Sequence, residues 1–557
     1  MVEPATIAAQ LRELAIYYEL DGDKHRAFAY ERAAKSVEAA QGLHRLIEEG
    51  RLEDLPGIGP SIARAVAELA RRGTVAVLDG MRVKWPPVVV ELAMLPRVGV
   101  PKARKLYQAF SPADLDAVAA LCRAGAVSEL PGFGKVSERK ILEAIEERRL
   151  RGQRVLLVDA EPHAQSIASH LRADPAVARV EVCGPVRRWC EIIEHFAYAV
   201  ATDAPDAVID RLASFALVTS VDRAATPIVA FLADGTRAEL YLAAPAHFGL
   251  AHVVATGSPE HVQQLRDRAA ARGMDLDKLE ARDEALVYQA LGLPWLPPEV
   301  RDGTDEIAAA LAGDLFADLI TLEDLTVATH CHTTYSDGKG TVAEMVRAAA
   351  ELGFAAITIT DHSLAASYAG GLDLDRLREQ AVEIAGLVDP EARVLRGTEA
   401  DINIDGTIDV PGGIELDVII ASVHQRFKLG EDDMTNRLVA AMRQPFFKIW
   451  GHALGRLVMR REPINVRIDD VLDAVAESRA AIEINGDPYR LDLDPVNARK
   501  AVRRGIKFVL SSDAHSTTGL RAARFAVAMA RRARIRKRDV LNALPVDEFA
   551  DAVAPRA

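Results

Sequence analysis

Six of the fourteen histidines in this chain lie after residue 329, and each of them ends or follows a short apolar segment. Three acidic residues occupy equivalent positions in the same part of the chain. Imidazole and carboxylate groups suit Zn²⁺, Mn²⁺ or Fe²⁺, and clustered divalent ions polarise phosphoryl oxygens and activate water. The candidate metal ligands are His330, His332, Asp337, His362, Glu399, His424, His452, Asp513 and His515.

The elements that must position these residues are seven short apolar strands, which alternate with helical stretches after Leu322. This alternation is typical of a β/α barrel, in which the C-terminal ends of the strands carry the catalytic groups. A single histidine is more often a core or surface residue than a ligand. Nine ligand-type residues at the ends of six strands indicate a metal site. The predicted strands are 327–330, 356–360, 394–397, 418–422, 447–450, 481–484 and 508–511.

The first 150 residues read as helices joined by glycine-containing turns, and a related segment recurs at 55–59 (LPGIG), 95–99 (LPRVG) and 130–134 (LPGFG). Glycine lets the backbone approach a phosphate, and amides at the start of the next helix bind it without side-chain charge. A single copy fits an ordinary turn equally well. Three copies favour DNA binding, and the middle copy, with Arg97, fits least well. The candidate DNA-binding residues are Gly57, Gly59, Gly99, Gly132 and Gly134.

Composition excludes several classes of protein. The formal charge of −13 argues against coating of nucleic acid by charge alone, but not against binding through backbone amides. The four cysteines form no CxxC pair and no disulfide framework, which suits a reducing compartment. The N-terminus lacks a basic, apolar leader, and no apolar run of about 18 residues occurs. We therefore expect a cytoplasmic, nucleoid-associated protein without a membrane partner.

The motifs that carry the candidate ligands resemble the PHP (polymerase and histidinol phosphatase) domain. The matches are HxH with a following aspartate, TDH, GTE, two isolated histidines and DAH. This resemblance implies up to three divalent ions (Mn, Zn or Fe), with Glu399 bridging two of them, and it places Arg456 near a substrate phosphate. A surface ion pair explains Arg456 equally well. The candidate catalytic residues are Glu399, His424, Asp513 and Arg456.

The family arrangement also implies how the ligands divide among the ions. The first ion would be held by His330, His332, Glu399 and Asp513. The second would be held by Glu399, His424 and His452. The third would be held by Asp337, His362 and His515.

The order of regions along the chain resembles the bacterial family X DNA polymerases. In the middle region, the segment GPVRR at 184–188 resembles the family motif GSxRR, and TGSPEH at 256–261 resembles TGSxEH. The resemblance implies a multidomain fold: an α-helical helix-hairpin-helix N-terminal region, an α+β polymerase-beta-like palm, and a C-terminal seven-stranded distorted β/α barrel. The expected domains are 1–80 (helix-hairpin-helix), 81–150 (fingers-like), 151–315 (palm and thumb) and 322–557 (PHP).

The carboxylates of the polymerase centre are the main departure from that family. Nucleotidyl transfer needs carboxylates that hold two Mg²⁺ ions. Aligning the family motif places His195, Ala197 and Glu239 at the three positions. A shift of register would offer Glu191 or Glu194 as a substitute. We expect the polymerase centre to be inactive.

Several functions remain open at this point. The first is a DNA-repair phosphoesterase that acts on gapped DNA or 3′ ends, as a 3′-5′ exonuclease, an abasic-site endonuclease or a 3′-phosphatase. The second is a small-molecule phosphatase of the histidinol-phosphate type, against which the three hairpin segments argue. A non-catalytic DNA scaffold is a third, against which the nine ligands argue, and a still active family X polymerase is a further alternative.

Overall fold

The helical region predicted for the first 150 residues and the alternating region after it form separate units. The computed structural model describes residues 4–39, 43–72, 75–95, 98–152, 154–232, 235–388 and 390–556. Contacts divide the chain into Met1–Gly152 and Gln153–Ala557. Among the described helices, none is long and apolar enough to cross a lipid bilayer.

The N-terminal unit consists of α-helices around a shared apolar core, as predicted. Leu11, Val66 and Leu106 come from three different helices and are at most 1% exposed, so the unit has its own interior. The helices within its described residues are α1 (Pro4–Leu20), α2 (Lys24–Ala39), α3 (Leu43–Glu48), α4 (Pro60–Arg72), α5 (Ala76–Lys84), α6 (Pro87–Met94), α7 (Gly99–Phe110), α8 (Leu115–Arg123) and α9 (Lys135–Gly152).

The second unit begins with an α+β layer. Its elements are β1 (Val155–Leu156), α10 (Leu157–Arg172), β2 (Arg179–Val182), α11 (Gly184–Arg187), β3 (Ile192–Ile193), β4 (Phe196–Ala201), α12 (Pro205–Ala213), β5 (Val218–Asp222), β6 (Ile228–Leu232) and β7 (Arg237–Ala243). Five of the strands form a sheet in the order β2-β4-β7-β6-β5, in which only β4 and β7 run parallel.

Alternation along β4 separates the two faces of this sheet. Phe196, Tyr198 and Val200 pack into the core that contains α10 and α12. Ala197 and Ala199 face the opposite way and pack against Phe248 and Ala255 of α13 (Phe248–Thr256). This helix forms a small helical cluster with α14 (Pro259–Ala271), α15 (Glu284–Ala290) and α16 (Glu306–Leu311).

All seven predicted barrel strands are present, and neighbouring strands run parallel in the order of the chain. The strands are β8 (Val327–Cys331), β9 (Ala356–Ile359), β10 (Arg393–Asp401), β11 (Val418–Ser422), β12 (Lys448–Trp450), β13 (Ala480–Asn485) and β14 (Phe508–Ser511). The helices between and after them are α17 (Val342–Glu351), α18 (Leu374–Ala385), α19 (Glu431–Met442), α20 (Ile468–Ala476), α21 (Pro495–Arg503), α22 (Ala523–Arg532) and α23 (Val546–Val553).

The barrel closes at the rim formed by the C-terminal ends of its strands. The backbone N–H of Ala514 donates to the carbonyl of His330 at 3.0 Å, and the N–H of His332 donates to the carbonyl of Ala514 at 2.9 Å. These bonds join β8 to the segment that follows β14. The first and last groups of candidate ligands therefore become neighbours at one rim.

One strand differs from its prediction. The apolar pattern ends at residue 397, but β10 continues to Asp401, so that Glu399 lies inside the strand and not after it. The N–H of Glu399 donates to Thr360 O at 3.1 Å, and Glu399 is paired with Ile420 of β11 on the other side. Backbone hydrogen bonds on both sides extend the strand past Glu399. Hydrophobic periodicity ends the predicted strand earlier, because a carboxylate interrupts the apolar pattern.

Candidate metal centre and DNA-binding turns

The nine candidate ligands converge at the closed rim of the barrel. Each of the nine lies at the end of a strand or in the loop that follows it, and the strands concerned are β8, β9, β10, β11, β12 and β14. Seven of the side chains are less than 10% exposed, whereas Asp337 and His515 are each 37% exposed. The site is therefore an interior cluster with one open side.

Glu399 lies at the geometric centre of this cluster. Its Oε1 atom is 2.8 Å from His452 Nε2, 3.1 Å from His424 Nε2 and 3.4 Å from His330 Nε2. Its Oε2 atom is 3.0 Å from Nδ1 of His362 and 3.6 Å from Nε2 of His332. Five imidazoles thus surround one carboxylate, which is the environment that a residue shared between metal ions needs.

Two aspartates extend the cluster on either side of Glu399. Asp513 Oδ1 is 3.5 Å from His332 Nε2 and 3.7 Å from His330 Nε2. Asp337 lies 3.3 Å from His515 Nε2 and 3.6 Å from His362 Nε2. Both carboxylates therefore face imidazole nitrogens.

Three subsets of these residues bring their ligand atoms within 4.8 Å of one another. They partly match the expected division among three ions. The subset of Asp337, His362 and His515 also includes His332, and His330 and His332 group with Asp513 as expected. In the third subset His362, not His452, accompanies Glu399 and His424. The division of ligands among ions stays a prediction.

Buried polar atoms without partners test whether a metal fits here. Within the described residues, the atoms without a hydrogen-bond partner include His330 Nε2, both ring nitrogens of His332, His362 Nδ1, Glu399 Oε2 and His452 Nδ1. Leaving such atoms unpaired in the interior costs about 1–3 kcal/mol each, so native proteins rarely do so without a reason. Imidazole and carboxylate groups whose ligand atoms lie within 4.8 Å of one another fit divalent metal ions.

Three of the ligands have backbone conformations that non-glycine residues seldom adopt. The φ angles are 59° for His330, 23° for His452 and 50° for Asp513. Each left-handed residue of this kind costs roughly 1–3 kcal/mol, and such strain concentrates at functional sites. The barrel therefore holds these side chains in orientations that local backbone preference alone would not give.

Outer carboxylates orient two of the histidines, and sequence reasoning missed both. Glu483 Oε1 lies 2.5 Å from Nδ1 of His330, and Asp401 binds Nδ1 of His424. A carboxylate on Nδ1 leaves Nε2 as the metal-binding nitrogen and raises its basicity. Neither residue belongs to a recognised motif. Asp401 ends β10, which already carries Arg393 and Arg396, so a charged residue within a strand is not a distinguishing signal.

Asp361 holds the loop that carries Asp337. It accepts hydrogen bonds from the backbone N–H and hydroxyl of Thr333 at 2.8 and 2.7 Å, from Ser336 Oγ at 2.5 Å and from Gln380 Nε2 at 2.6 Å. Asp361 is fully buried. The loop after β8 therefore has a fixed shape although Asp337 is partly exposed.

The charges of the cluster support one another. Burial alone would raise the pKa of Glu399, but His424 and His330 outweigh burial and hold that pKa well below its ordinary value. Burial lowers the pKa of His362, yet Glu399 and Asp337 raise it to about 10. The pKa of His332 is instead lowered by burial to about 4. Ionised carboxylates that attract protons onto imidazoles also attract divalent cations, which compete for the same lone pairs.

Arg456 is placed differently from the expectation. Its guanidinium makes two hydrogen bonds to Glu191, at 2.7 and 3.1 Å, and a third to the carbonyl of Leu491. Contact between Arg456 and a substrate phosphate stays a prediction that requires release from Glu191. The nearer cation is Arg490, whose Nε lies 3.3 Å from Asp513 Oδ2 and is buried without a hydrogen-bond partner among the described residues.

The hairpin turns have the backbone that glycine favours. The φ angles of Gly57, Gly99 and Gly132 are 80°, 66° and 92°. Pro96 and Arg97 of the middle copy lie outside the described residues. Gly59 and Gly134 have nothing within 4 Å of where a side chain would begin, so their backbones are open to a ligand.

A cation from another helix lies beside two of these turns. The Arg32 side chain comes within 2.7 Å of where a Cβ of Gly57 would lie, and Lys105 Nζ is 3.6 Å from that position at Gly132. Positive charge beside exposed backbone amides is the arrangement that a nucleic-acid phosphate binds.

The positions aligned with polymerase carboxylates lie together on the β4/β7 sheet. Ala197 of β4 is paired with Glu239 of β7, and His195 Nε2 is 3.9 Å from Glu239 Oε2. Glu239 accepts hydrogen bonds from Arg237 at 3.1 Å and from the Tyr241 hydroxyl at 3.2 Å. Ala197 belongs to an apolar cluster.

Comparison with known proteins adds to this geometry. Family profiles match residues 3–75 (helix-hairpin-helix domain), 89–147 (SAM-like helix-hairpin-helix tandem), 251–302 (DNA polymerase beta thumb) and 328–487 (PHP domain). The chain is 31% identical over 556 residues to the DNA polymerase/3′-5′ exonuclease PolX of Bacillus subtilis (strain 168), covering 96% of both proteins. The chain belongs to the family X DNA polymerases that carry a C-terminal PHP domain.

Shorter relatives match the PHP region alone. A protein of Thermoanaerobacter sp. (strain X514) named "Probable phosphatase" is 31% identical over 205 residues, which is 34% of this chain and 79% of that protein. A similarly named protein of Aliivibrio fischeri (strain MJ11) is 29% identical over 204 residues, or 34% of this chain and 78% of that protein.

Family membership confirms the predicted order of regions and the fold class. The helix-hairpin-helix and thumb domains indicate DNA binding, and the PHP domain indicates a metal-dependent hydrolase. The PHP profile ends at residue 487, before Asp513 and His515. The structure brings both residues to the same rim as the ligands that the profile covers.

Proposed function

We propose that this family X protein is a metal-dependent phosphoesterase that removes nucleotides or blocking groups from DNA 3′ ends during repair, and that its polymerase centre does not extend primers. The proposal rests on a single observation: five imidazole nitrogens lie within 3.6 Å of the Glu399 carboxylate. The name of the Bacillus relative assigns a 3′-5′ exonuclease activity to that protein, which supports the same reaction here.

Side chains at the barrel rim define how a phosphodiester would be bound and hydrolysed. Glu399 and the imidazoles around it would hold two or three Mn²⁺, Zn²⁺ or Fe²⁺ ions, which activate water and stabilise charge on the phosphoryl oxygens. Glu483 and Asp401 fix the tautomers of His330 and His424, so that Nε2 of each faces the centre. Arg490 lies beside Asp513 with a positive charge available to orient a phosphate.

The palm supports the second half of the proposal. Two-metal nucleotidyl transfer needs several carboxylates that converge on one point. In the palm the position opposite Glu239 is Ala197, and Glu239 is already hydrogen-bonded to Arg237 and Tyr241. The cluster that includes Ala197, Cys183 and Phe248 fills that face with apolar groups.

The motifs that the palm shares with family X make hydrogen bonds within the protein: Arg187 of GPVRR binds Thr256 of TGSPEH. Arg187 donates to Glu284 at 2.6 and 2.9 Å and to Thr256 Oγ1 at 2.8 Å, and Arg301 donates to the same glutamate. The guanidinium group of Arg187 therefore holds the palm against the helical cluster, whereas that of Arg301 is buried within the cluster. We infer that this region now serves as a DNA-holding scaffold at the nucleoid.

A small-molecule phosphatase is the second candidate, because the shorter PHP relatives carry that name. One assay separates the candidates. Purified protein would be tested with Mn²⁺, Zn²⁺ or Mg²⁺ on 3′-recessed, 3′-phosphate and abasic DNA, beside p-nitrophenyl phosphate and histidinol phosphate. We expect at least one DNA substrate to be hydrolysed with much higher kcat/KM than the monoesters. Hydrolysis of histidinol phosphate without any DNA cleavage would favour the second candidate.

A further inference from the structure

An exposed aromatic ring stands beside the metal centre. Tyr368 lies in a short 3₁₀ turn, Ser367–Ala369, in the loop that follows β9 and His362. Its ring centroid is 6.3 Å from the rings of both His362 and His424, and the residue is 67% exposed. Large aromatic side chains usually lie inside proteins, so this exposure at the mouth of a site indicates a ligand.

Two other aromatic rings of the barrel have a cation over one face. The guanidinium of Arg460 lies 4.9 Å from the ring of Tyr489, and that of Arg461 lies 4.1 Å from the ring of Phe427. Among the described residues, no cation lies over the ring of Tyr368. Because the residue is 67% exposed, part of its ring surface remains for a planar group that enters the mouth.

Tyr368 and Arg490 both lie beside candidate metal ligands. The ring of Tyr368 is next to His362 and His424, and the Nε of Arg490 is 3.3 Å from Asp513 Oδ2. Tyr368 follows β9 and Arg490 follows β13, so the two come from loops separated by three strands of the barrel. A ligand between them would meet a planar apolar surface from one loop and a cation from another.

We propose that Tyr368 is a specificity-determining residue that stacks on the base of the terminal nucleotide while the adjacent phosphodiester lies at Glu399. The assignment rests on the proposed function and deepens it from a phosphoesterase to one selective for nucleotide diesters. Water attacks the phosphorus and the bond from phosphorus to the 3′ oxygen of the preceding nucleotide breaks. The terminal nucleotide leaves as a nucleoside 5′-monophosphate, and the 3′ oxygen takes up a proton and becomes the new 3′ hydroxyl of the strand. Stacking tolerates every base, so the reaction would show little sequence preference.

Two chromogenic diesters test this assignment in the full-length protein with Mn²⁺. Thymidine 5′-monophosphate p-nitrophenyl ester carries a base, and methyl p-nitrophenyl phosphate does not. We expect Tyr368→Ala to lower the ratio of their kcat/KM values by ~10- to 100-fold, the range that loss of one base–aromatic stack gives. Tyr368→Phe should keep the wild-type ratio, since the ring and not the hydroxyl does the stacking.

The matched control is Leu364→Ala, which removes a side chain that is 60% exposed in the same loop but has no ring. This variant should keep the wild-type ratio. A wild-type ratio in Tyr368→Ala, with or without an equal loss on both diesters, would overturn the assignment but not the proposed phosphoesterase function. A wild-type protein that hydrolyses neither diester nor DNA would overturn the proposed function and this assignment with it.

Discussion

The barrel rim and the palm both present a glutamate on a parallel strand, but the surroundings of the two carboxylates differ. Glu399 is 1% exposed and faces five imidazole nitrogens. Glu239 has a basic and a phenolic hydrogen-bond partner, and its neighbour across the sheet is an alanine. The difference indicates that a buried carboxylate can serve as a metal ligand only where other ligand groups lie close to it.

The histidines near the two glutamates show the same contrast. Burial lowers the pKa of His424, but Glu399 and Asp401 raise it to about 9. The pKa of His195 is lowered by burial, against the influence of Glu239, so this imidazole stays neutral. The rim is a concentrated charge cluster, and the palm is close to an ordinary packed interior.

The largest effect should come from removing the central carboxylate. Glu399→Ala should lower Mn²⁺-supported 3′→5′ degradation of DNA by on the order of 10³-fold or more, or about 4 kcal/mol of barrier. Asp513→Ala and His515→Ala should each release fewer ions than Glu399→Ala. The measurement is the degradation rate beside metal content for each variant.

The matched control is Glu239→Ala, which removes a strand glutamate from the palm and should leave degradation unchanged. The fold should survive Glu399→Ala, because the barrel core is apolar. Wild-type degradation by a folded Glu399→Ala protein that still binds metal would place the hydrolytic centre elsewhere.

A smaller loss is expected when an outer carboxylate is neutralised. Glu483→Gln keeps the shape of the side chain but weakens its interaction with Nδ1 of His330. Metal affinity or activity should fall by ~10- to 100-fold, the usual cost of losing an outer partner of a ligating histidine. Titration with Mn²⁺ measures this effect, with exposed Glu351→Gln on α17 as the control. Equal Mn²⁺ affinities in both variants would contradict the role of Glu483.

The hairpin turns should make a moderate contribution to DNA affinity. The double variant Gly57→Val with Gly132→Val forces side chains into left-handed backbone at both turns. We expect ~10-fold weaker binding of DNA, measured by fluorescence anisotropy at low salt. Gly50→Val with Gly125→Val controls for the left-handed strain, since those glycines have φ angles of 69° and 77° but lack the contact with Arg32 that a side chain at Gly57 would make. Equal losses in both variants would show that strain, and not contact with DNA, causes the effect.

The smallest effect concerns the helical cluster beside the palm. Burial lowers the pKa of His252 to about 3. Its pKa in the unfolded chain is about 6.5, so below pH 6.5 His252 is protonated in the unfolded chain but stays neutral in the folded protein. The stabilising contribution is present above pH 6.5 and is lost as the pH falls. His252→Asn should reduce the loss of stability between pH 7.5 and 5.5 by ~1 kcal/mol in denaturant unfolding.

The control for this prediction is His163→Asn, which changes an exposed histidine on α10. That variant should show the wild-type dependence on pH. A His252→Asn protein with the wild-type dependence would mean that folding does not lower the pKa of His252.

Sequence patterns predicted all seven barrel strands and the nine residues at the rim, because histidines and acids after apolar segments are a specific signal. The patterns could not predict the outer partners, since Glu483 and Asp401 lie inside strands and act through contacts made only in the folded barrel. The pairing of Arg456 with Glu191 joins residues 265 positions apart, and no local pattern reports it. The grouping of ligands depends on side-chain rotation, which residue spacing does not determine.

The most direct test of the contrast between rim and palm is one gel assay with a 5′-labelled primer on a longer template. The reaction contains all four deoxynucleotides and Mn²⁺, and it compares wild type, Glu399→Ala and Glu239→Ala. We predict that wild type and Glu239→Ala shorten the primer, that Glu399→Ala leaves it unchanged, and that none of the three lengthens it. Template-directed lengthening by wild type that Glu239→Ala abolishes would contradict the account, because the palm would then hold a working polymerase centre.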